Sequence, residues 1–414
     1  MASFTGDLLM AIYAFTSIAL NYVPKARVLT TSLRRFHPEW KVCLLLAESV
    51  PEQLREDCLR QGDVDEIITL DALTINDENG RLLAGQRLEQ WIFKHSIVEL
   101  CTAIKGPCLD YLLQREDCEA AFYFDPDIAL FSRLDRLVSQ FETASVLLTP
   151  HLTVPESPNA LDAILDNEVC ALKHGVYNLG FLGVKKSPIG LRFTSWWKRR
   201  LELLCYADIG NGVFTDQRWV DLAPAFFEEI AILRDAAYNV STWNLTHRMV
   251  EEDAAGNLLV NKEPLGFYHF SGFDSGAQLV MLNKYGKGMP ALYRLREWYI
   301  ARCAEFDDQR YSHRSWLYES YSDGEMITAA QRVLYRLRSD LQAAFPSPFE
   351  ANDIHSSYCH WYRVNVEAGG SGQEVHFEQM AQLYKSQIEQ IYSSRAWKVA
   401  QLLRKIAHFF GMIR

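Results

Sequence analysis

The chain has 414 residues, 49% of them hydrophobic and 23% charged, a balance typical of a soluble globular protein of one large or two modest domains. Its net charge of −10 argues against a general nucleic-acid binder. Nine scattered cysteines without a C-x-x-C pair exclude a disulfide framework and a zinc site and fit a reducing compartment. We expect no signal peptide and no membrane span, since no stretch approaches the ~20 apolar residues that a span needs. A cytoplasmic location is therefore predicted.

The first part of the chain alternates strand and helix patterns, which is typical of a parallel sheet with helices on both faces. In chain order, we predict a strand at 8–15, a helix at 24–36, a strand at 42–47, a helix at 51–61, a strand at 66–70, a helical stretch at 86–114 and a strand at 120–124. The chain contains no G-x-G-x-x-G and no P-loop motif, which argues against a dinucleotide site and a P-loop nucleotide site.

The strand at 120–124 ends in two carboxylates, Asp125 and Asp127, on either side of Pro126. Proline cannot donate a hydrogen bond to a strand ladder, so the strand should stop there. The aspartates then lie at the carboxyl edge of the sheet, where open α/β folds bind ligands. Two close carboxylates repel each other unless a cation lies between them, and Mg2+ or Mn2+ is the natural partner. The alternative is a turn with two solvated aspartates.

Further strand and helix patterns follow. They are a strand at 145–149, a glycine-containing strand at 176–184, a helix at 189–206, a helix start after Asp216, a strand at 230–240 that leads into Asn239, and an L-G-F-Y-H-F-S-G segment at 265–272. Glycines within a strand indicate close approach of another backbone or a ligand.

The last third of the chain has a different character. Residues 279–367 are helical in pattern, residues 368–373 form a flexible linker, and residues 374–414 form an amphipathic helical tail. The end of this tail carries five basic and no acidic residues from position 393 onward. Such a tail predicts peripheral contact with the inner face of an anionic membrane. A helix packed on another protomer, or a solvated end, is the alternative.

Four motifs in this order resemble the GT-A fold glycosyltransferases that use nucleotide sugars. They are the D-x-D after a strand, the N-x-G segment at 178–180, the Asp-Gln pair at 216–217 and the H-F-S-G segment at 269–272. The resemblance covers residues 8–275 and is strongest to bacterial polysaccharide and lipopolysaccharide transferases and, in motif style, to the retaining, glycogenin-like family 8. The chain departs from family 8 at Pro126, where Ala is common, and after Gly272, where Lys-Pro-Trp is usual.

The resemblance implies a GT-A, Rossmann-like α/β fold with a mostly parallel sheet over a catalytic domain at 1–278, followed by the helical extension. It also implies a hexosyl- or N-acetylhexosaminyl-transferase that uses Mn2+ or Mg2+, takes a sugar from a UDP-sugar and passes it, with retention, to a glycan, lipid-linked or protein acceptor. The metal ligands would be Asp125, Asp127 and His269. The donor nucleotide and sugar would be held by Phe15, Thr16, Ser17, Tyr22, Lys105, Asp125 and Gly180, and the reacting sugar would be faced by Asn178, Asp216 and Gln217.

Structural explanations remain open for several of these residues. His269 and Tyr22 could be core residues, Asp216 could cap a helix, and Lys105 could lie at the surface. Two other classes also remain open. They are a phosphohydrolase of the haloacid dehalogenase type, whose D-x-D normally follows the first strand, and a non-catalytic module that binds carbohydrate or a protein partner.

Overall fold

The computed structural model describes residues 10–49, 64–353 and 357–367, so the predicted helix at 51–61, linker at 368–373 and tail at 374–414 lie outside it. The described strands are β1 (Ala11–Ile18), β2 (Lys41–Leu46), β3 (Glu66–Thr69), β4 (Cys118–Phe124), β5 (Ile128–Leu130), β6 (Val146–Pro150), β7 (Tyr177–Lys185), β8 (Ala207–Asp208), β9 (Val213–Phe214), β10 (Ile230–Ile232), β11 (Val250–Glu252), β12 (Leu258–Val260), β13 (Glu263–Pro264) and β14 (Phe267–His269).

Seven of these strands form the central sheet, in the order β10-β6-β7-β4-β1-β2-β3. All neighbours pair in parallel except β7, which runs antiparallel to both β4 and β6. The predicted α/β fold with a mostly parallel sheet is therefore confirmed. From β1 the chain adds β2 and β3 on one side and then β4 on the other. The carboxyl ends of β1 and β4 consequently bound a topological switch point, where open sheets form ligand crevices.

Helices cover both faces of this sheet. The described helices are α1 (Val23–Phe36), α2 (Gln86–Phe93), α3 (Ile97–Ala103), α4 (Lys105–Leu113), α5 (Asp135–Val138), α6 (Leu161–Ala163), α7 (Val169–His174), α8 (Pro188–Leu204), α9 (Gln217–Val220), α10 (Ala223–Phe226), α11 (Ala277–Tyr285), α12 (Pro290–Glu305), α13 (Gln309–Ser312), α14 (Ala329–Leu337), α15 (Ser339–Ala344) and α16 (Tyr358–Tyr362). Alternate side chains of β1 and β4, such as Ala14 and Phe122, join α1 in one core. The side chains between them point to the other face, where Phe15 and Tyr123 meet at 5.1 Å.

Some predicted boundaries differ from the structure. The stretch at 86–114 is three helices, with one break before Ser96, which caps α3, and a second at Ile104, just before Pro107 in the first turn of α4. Proline is tolerated there because first-turn N–H groups have no partner within the helix. The strand predicted at 230–240 ends at Ile232, and the chain continues as a loop to Asn239, whose φ is +54°.

The chain divides into two compact units, residues 1–319 and 320–414, and α11 and α12 belong to the first. The described part of the second unit is helical, and Tyr358 anchors it by packing on Tyr335 at 5.1 Å and donating a hydrogen bond to the Gln331 carbonyl at 2.7 Å. The predicted limits of the catalytic domain, 1–278, stay a prediction. Among the described residues, no helix combines the length and apolar content that crossing a membrane would require.

Candidate functional site

The candidate site lies at the carboxyl end of β4. The chain leaves the strand in a turn at Pro126, closed by the Ile128 amide, which donates to the Asp125 carbonyl at 3.1 Å. It then enters β5, which pairs antiparallel with β14 so that Ile128 lies opposite His269. The Phe270 amide extends this pairing by donating to the Asp127 carbonyl at 2.8 Å. Two segments distant in sequence are thus joined beside the aspartates.

Asp125, Asp127 and His269 form one cluster, here called the acidic centre. Their ligand atoms lie within 4.8 Å of one another. The Nε2 atom of His269 is 3.1 Å from Oδ1 of Asp127 and 3.8 Å from Oδ2 of Asp125. Both aspartates are partly exposed, while His269 is buried. The structure therefore brings together the three residues that the sequence suggested as metal ligands.

The His269 ring is oriented by Asn239. The amide nitrogen of Asn239 donates to Thr149 Oγ1 and Asn178 Oδ1, each at 2.9 Å, which leaves its oxygen to face His269 Nδ1 at 3.2 Å. The hydrogen of the neutral ring is therefore assigned to Nδ1, and the lone pair of Nε2 points toward the carboxylates. Sequence analysis gave Asn239 no role.

Charge coupling in the acidic centre is strong. Burial acts to lower the pKa of His269, but the adjacent Asp127 carboxylate outweighs it and raises that pKa. Burial acts to raise the pKa of Asp127, but His269 and, more weakly, Lys25 lower it. The interaction between His269 and Asp127 thus favours the ionised Asp127 carboxylate, which in turn stabilises a positive charge next to it.

Gly180 is required by the position of His269. A Cβ atom built on Gly180 would lie 2.4 Å from Cε1 of His269 and 2.7 Å from Oδ1 of Asn178. Its carbonyl also accepts a hydrogen bond from the Asp125 amide at 2.7 Å. The predicted close approach at this strand glycine is therefore an approach of the imidazole.

Lys105 lies behind the acidic centre, with a side chain only 4% exposed. Its ammonium is 2.9 Å from Oδ2 of Asp216 and 3.2 Å from Oδ1 of Asp125, and it lies 4.1 Å from the centre of the Tyr123 ring. Burial acts to lower the pKa of Lys105, but Asp125 and Asp216 outweigh it and raise that pKa. Tyr123 donates a hydrogen bond of 2.5 Å to Asp125 Oδ1. Lys105 is therefore not a surface lysine.

Asp216 is buried, and burial raises the pKa of its carboxyl despite the neighbouring Lys105. The carboxylate accepts a hydrogen bond from Thr215 Oγ1 at 3.1 Å. It makes no capping bond to α9, so the helix-cap explanation does not hold.

Gln217 and Asn178 are held by the chain itself. Oε1 of Gln217 accepts from the Leu179 amide at 3.0 Å, and its Nε2 donates to the His174 carbonyl at 2.9 Å. Asn178 accepts from the Gly180 amide at 3.1 Å and shares its amide nitrogen between Gln217 and His151, each at 3.3 Å. Both side chains thus brace β7, and their contact with a sugar stays a prediction.

The first strand runs past its predicted end at 15 to Ile18, so Thr16 and Ser17 lie in β1 together with Phe15. Phe15 packs in the core, and Ser17 donates to the Cys101 carbonyl at 2.7 Å. Among the described residues, the buried Thr16 hydroxyl has no hydrogen-bond partner. Tyr22 follows the strand and donates to Asp274 Oδ2 at 2.5 Å. The role of all four in holding a nucleotide stays a prediction.

Sequence analysis also missed Lys25 and Trp243. Lys25 forms an ion pair with Asp274, and its ammonium lies 4.1 Å from the Tyr22 ring centre. Its positive charge also helps to lower the pKa of Asp127. Trp243 stands edge-on to His269, with ring centres 5.3 Å apart. Neither residue belongs to a local motif, and a sequence signal for them is absent.

Comparison with curated proteins gives distant relatives, and no family model matches the chain. The chain is 26% identical over 178 residues to the uncharacterized protein YfnD of Bacillus subtilis (strain 168), and 26% identical over 177 residues to the uncharacterized protein YfnF of the same organism. Each match covers 42% of this chain, which spans 54% of YfnD and 57% of YfnF. The chain thus spans little more than half of these relatives.

The solved structures to which the chain shows low similarity include several glycosyltransferases. The galactosyltransferase LgtC is 15% identical with a TM-score of 0.37, covering 63% of this chain and 87% of its own. Mouse xyloside xylosyltransferase 1 is 13% identical with a TM-score of 0.34, covering 64% and 98%. The glycosyltransferase GlyE of Streptococcus pneumoniae TIGR4 is 14% identical with a TM-score of 0.34, covering 56% and 47%. At these identities and TM-scores the similarities concern the fold alone and do not indicate the reaction.

Proposed function

We propose that this protein is a metal-dependent glycosyltransferase that moves a sugar from a nucleotide diphosphate, UDP in the first instance, to a glycan, lipid-linked or protein acceptor. The observation that carries the proposal is the convergence of Asp125, Asp127 and His269 at the switch point between β1 and β4. A crevice at that place suits a nucleotide, and a cluster of this charge suits a cation that accompanies phosphate.

The residues of the acidic centre fit a divalent cation. Two carboxylates and one imidazole form a donor set that suits Mn2+ well, whereas Mg2+ prefers oxygen ligands alone. The hydrogen bond from His269 to Asn239 resembles the outer contacts that orient histidine ligands in metal sites. When bound, such an ion acts as a Lewis acid that stabilises negative charge on a diphosphate leaving group.

The chain's own residues would then position the donor. Lys105 neutralises Asp216 and one oxygen of Asp125, so the other Asp125 oxygen is left to face the cation. We assign Asp216, Asn178 and Gln217 to the sugar side of the crevice, where Asp216 is oriented by Lys105 and Thr215. Glycosyl transfer passes through an oxocarbenium-like transition state, which a nearby carboxylate stabilises. Retention of configuration is proposed from the family resemblance alone.

The acceptor side is proposed from the sequence. A membrane-bound, lipid-linked acceptor would agree with the basic tail at 393–414 and with a peripheral position at the cytoplasmic face of the membrane. Vesicle flotation of the full chain beside a chain truncated at Gly372 tests this. Equal partitioning of the two would exclude the tail as an anchor.

Two other functions are less well supported. In a phosphohydrolase of the haloacid dehalogenase type the D-x-D normally follows the first strand, whereas here it follows β4. A non-catalytic module would not need the buried ion pair between Lys105 and Asp216, because buried ion pairs cost desolvation free energy.

A screen of nucleotide sugars with Mn2+ tests the proposal by measuring slow donor hydrolysis without acceptor. The wild-type chain should hydrolyse at least one UDP-sugar only when the metal is present. Asp127→Asn should retain about 1% or less of that rate, because electrostatic stabilisation of the leaving group is lost. Asp135→Asn, at an exposed ion pair with Arg133, is the matched control and should keep the wild-type rate. Hydrolysis that is independent of metal, or unaffected by Asp127→Asn, would reject the proposal.

A further inference from the structure

A cavity of about 630 Å³ lies between α1 and α12, away from the acidic centre. We call it the aromatic groove and define it by Arg35, Phe131, Glu252, Asn257, Arg294 and Trp298. Its volume falls within the range of small-molecule sites in proteins. The walls come from two helices, the residue after β5 and the hairpin between β11 and β12, so the groove belongs wholly to the first compact unit.

The groove exposes an aromatic surface. Trp298 is 37% exposed, and its ring meets Phe131 edge-on with ring centres 5.3 Å apart. The neighbouring residue on α12, Tyr299, instead stacks on Phe270 in the core. α12 therefore turns one aromatic side chain inward and leaves the next as a flat apolar face in a concave site, where a ring with C–H groups can stack.

The polar groups of the groove are arranged around that face. Arg294 is fixed by Glu252, with Nε 3.0 Å from Oε2. Arg35 is exposed beside the Phe36 ring at 5.2 Å, and within the described part of the chain it makes no ion pair. The hydroxyl of Thr31, also in the wall, is buried and has no hydrogen-bond partner among the described residues. The Arg35 guanidinium is thus available to a ligand.

We propose that the aromatic groove is a second carbohydrate site, which binds a saccharide chain carrying a carboxylate group. The C–H face of one sugar stacks on Trp298, Arg35 pairs with the carboxylate, and Asn257 bonds a hydroxyl group. The site is net positive although the chain has a net charge of −10, and this favours an acidic ligand. The exposed aromatic face favours a glycan over other acidic ligands. The choice of a saccharide rests on the proposed function.

The position suggests that the site holds the acceptor chain. β5 connects the two regions, since Asp127 precedes it and Phe131 follows it, a separation on the order of 13 Å along a strand. A glycan bound in the aromatic groove would therefore lie near the acidic centre without occupying it. Acceptors long enough to reach the groove should be preferred over short ones.

The test is binding of the full chain to immobilised oligosaccharides, using hyaluronan and oligogalacturonate fragments as acidic probes and maltohexaose as the neutral probe. Trp298→Ala should weaken binding of an acidic probe about tenfold, as expected for loss of an aromatic stacking surface. Arg35→Gln should weaken it about threefold and reduce the preference over maltohexaose, as expected for an exposed charge pair.

The controls are Trp196→Ala and Arg192→Gln, both on α8 outside the groove. Trp196 is also partly exposed and packed on an aromatic ring, and Arg192 is exposed over Phe227 much as Arg35 lies over Phe36. Both control variants should bind like the wild type. Failure of the wild type to bind either acidic probe, or equal loss in Trp196→Ala and Trp298→Ala, would overturn the proposal.

A second arm separates this inference from the proposed function. Trp298→Ala should bind UDP with Mn2+ like the wild type, and Asp127→Asn should bind the acidic probe like the wild type. Loss of UDP binding in Trp298→Ala would contradict a separate site. If the wild type binds the glycan through Trp298 but fails to bind UDP, the groove stands and the glycosyltransferase proposal falls.

Discussion

The acidic centre and the aromatic groove hold their charges in opposite ways. In the acidic centre and directly behind it, His269, Lys105 and Asp216 are buried, and each has a partner of opposite charge within 3.2 Å. In the aromatic groove, Arg35 is exposed and Trp298 is more than one third exposed. Buried charges are expensive unless they are paired, so the centre is preorganised, whereas the groove depends on its ligand for much of its contact.

Among the substitutions that test this contrast, Lys105→Met should have the largest effect on stability and activity. It leaves Asp216 buried without its cation, and the free energy of unfolding should fall by about 3 kcal/mol. Donor hydrolysis should be lost with it, since Asp125 loses the same partner. Urea denaturation and the hydrolysis assay measure the two effects.

Lys262→Met is the control for Lys105→Met, because Lys262 pairs with Glu251 at 2.6 Å but is 80% exposed. Exposed pairs contribute about 0.5 kcal/mol or less, so its stability should hardly change. Equal losses in the two variants would mean that Lys105 is solvated in solution and that the centre is not preorganised.

Gly180→Ala should come next. The new Cβ would collide with the His269 ring, and overpacking of this kind costs about 1–3 kcal/mol. The ring should be displaced, so Mn2+ binding measured by titration calorimetry should weaken as well. Gly210→Ala, whose Cβ would come no closer than 3.9 Å to Asp208, should leave both quantities unchanged. Unaltered Mn2+ affinity in Gly180→Ala would argue that His269 is not a ligand.

Asn239→Gly removes the side chain that orients His269 while keeping a residue that tolerates φ of +54°. Loss of such an outer contact typically weakens metal affinity about 10- to 100-fold. Asn261→Gly is matched in backbone conformation, with φ of +50°, but lies on an exposed turn, so it should bind Mn2+ like the wild type. A parallel loss in the two variants would point to backbone effects alone.

The smallest effect should come from His151, the second histidine near the centre. Unlike His269 it has no carboxylate partner within the described part of the chain, and burial lowers its pKa to about 4. Because the unfolded chain takes up the proton near pH 6.5 and the folded chain only near 4, this histidine reduces stability as pH falls between those values.

His151→Gln should therefore flatten the pH dependence of unfolding. Its free energy of unfolding relative to that of the wild type should be larger at pH 5 than at pH 7 by on the order of 1 kcal/mol. The full pKa shift would give a larger difference, but the partial exposure of His151 reduces it. Urea denaturation at the two pH values measures this, and His313→Gln, at an exposed position, serves as the control. Identical pH profiles for His151→Gln and the wild type would mean that His151 is hydrated.

The same contrast explains how far the sequence predicts the structure. Asp125 and Asp127 follow a strand that is apolar on both faces, so their place at a sheet edge could be predicted from local pattern. His269 came from the motif resemblance, and the β5–β14 pairing brings it to Asp127. Lys105 also came from the resemblance, but its ion pairs, like the contact of Asn239 with His269, join residues far apart in sequence, which no local spacing encodes.

The aromatic groove lay beyond sequence analysis for the same reason. Arg35 and Trp298 come from helices separated by more than 250 residues, and each would pass as an ordinary surface residue in its own segment. Strand and helix limits were less predictable than element types, as β1 shows by extending to Ile18. Pairing with β2 along six residues carries β1 past the point where its apolar pattern ends.

The most direct measurement of the central claim is titration of the full chain with UDP, with and without Mn2+, by calorimetry. If Asp125, Asp127 and His269 hold a cation that in turn holds the diphosphate, removal of Mn2+ should weaken UDP binding about thirtyfold or more, the equivalent of about 2 kcal/mol of charge-assisted contacts. Asp127→Asn should bind UDP as weakly with Mn2+ as the wild type does without it. Equal UDP affinity in the presence and absence of the metal would contradict the account.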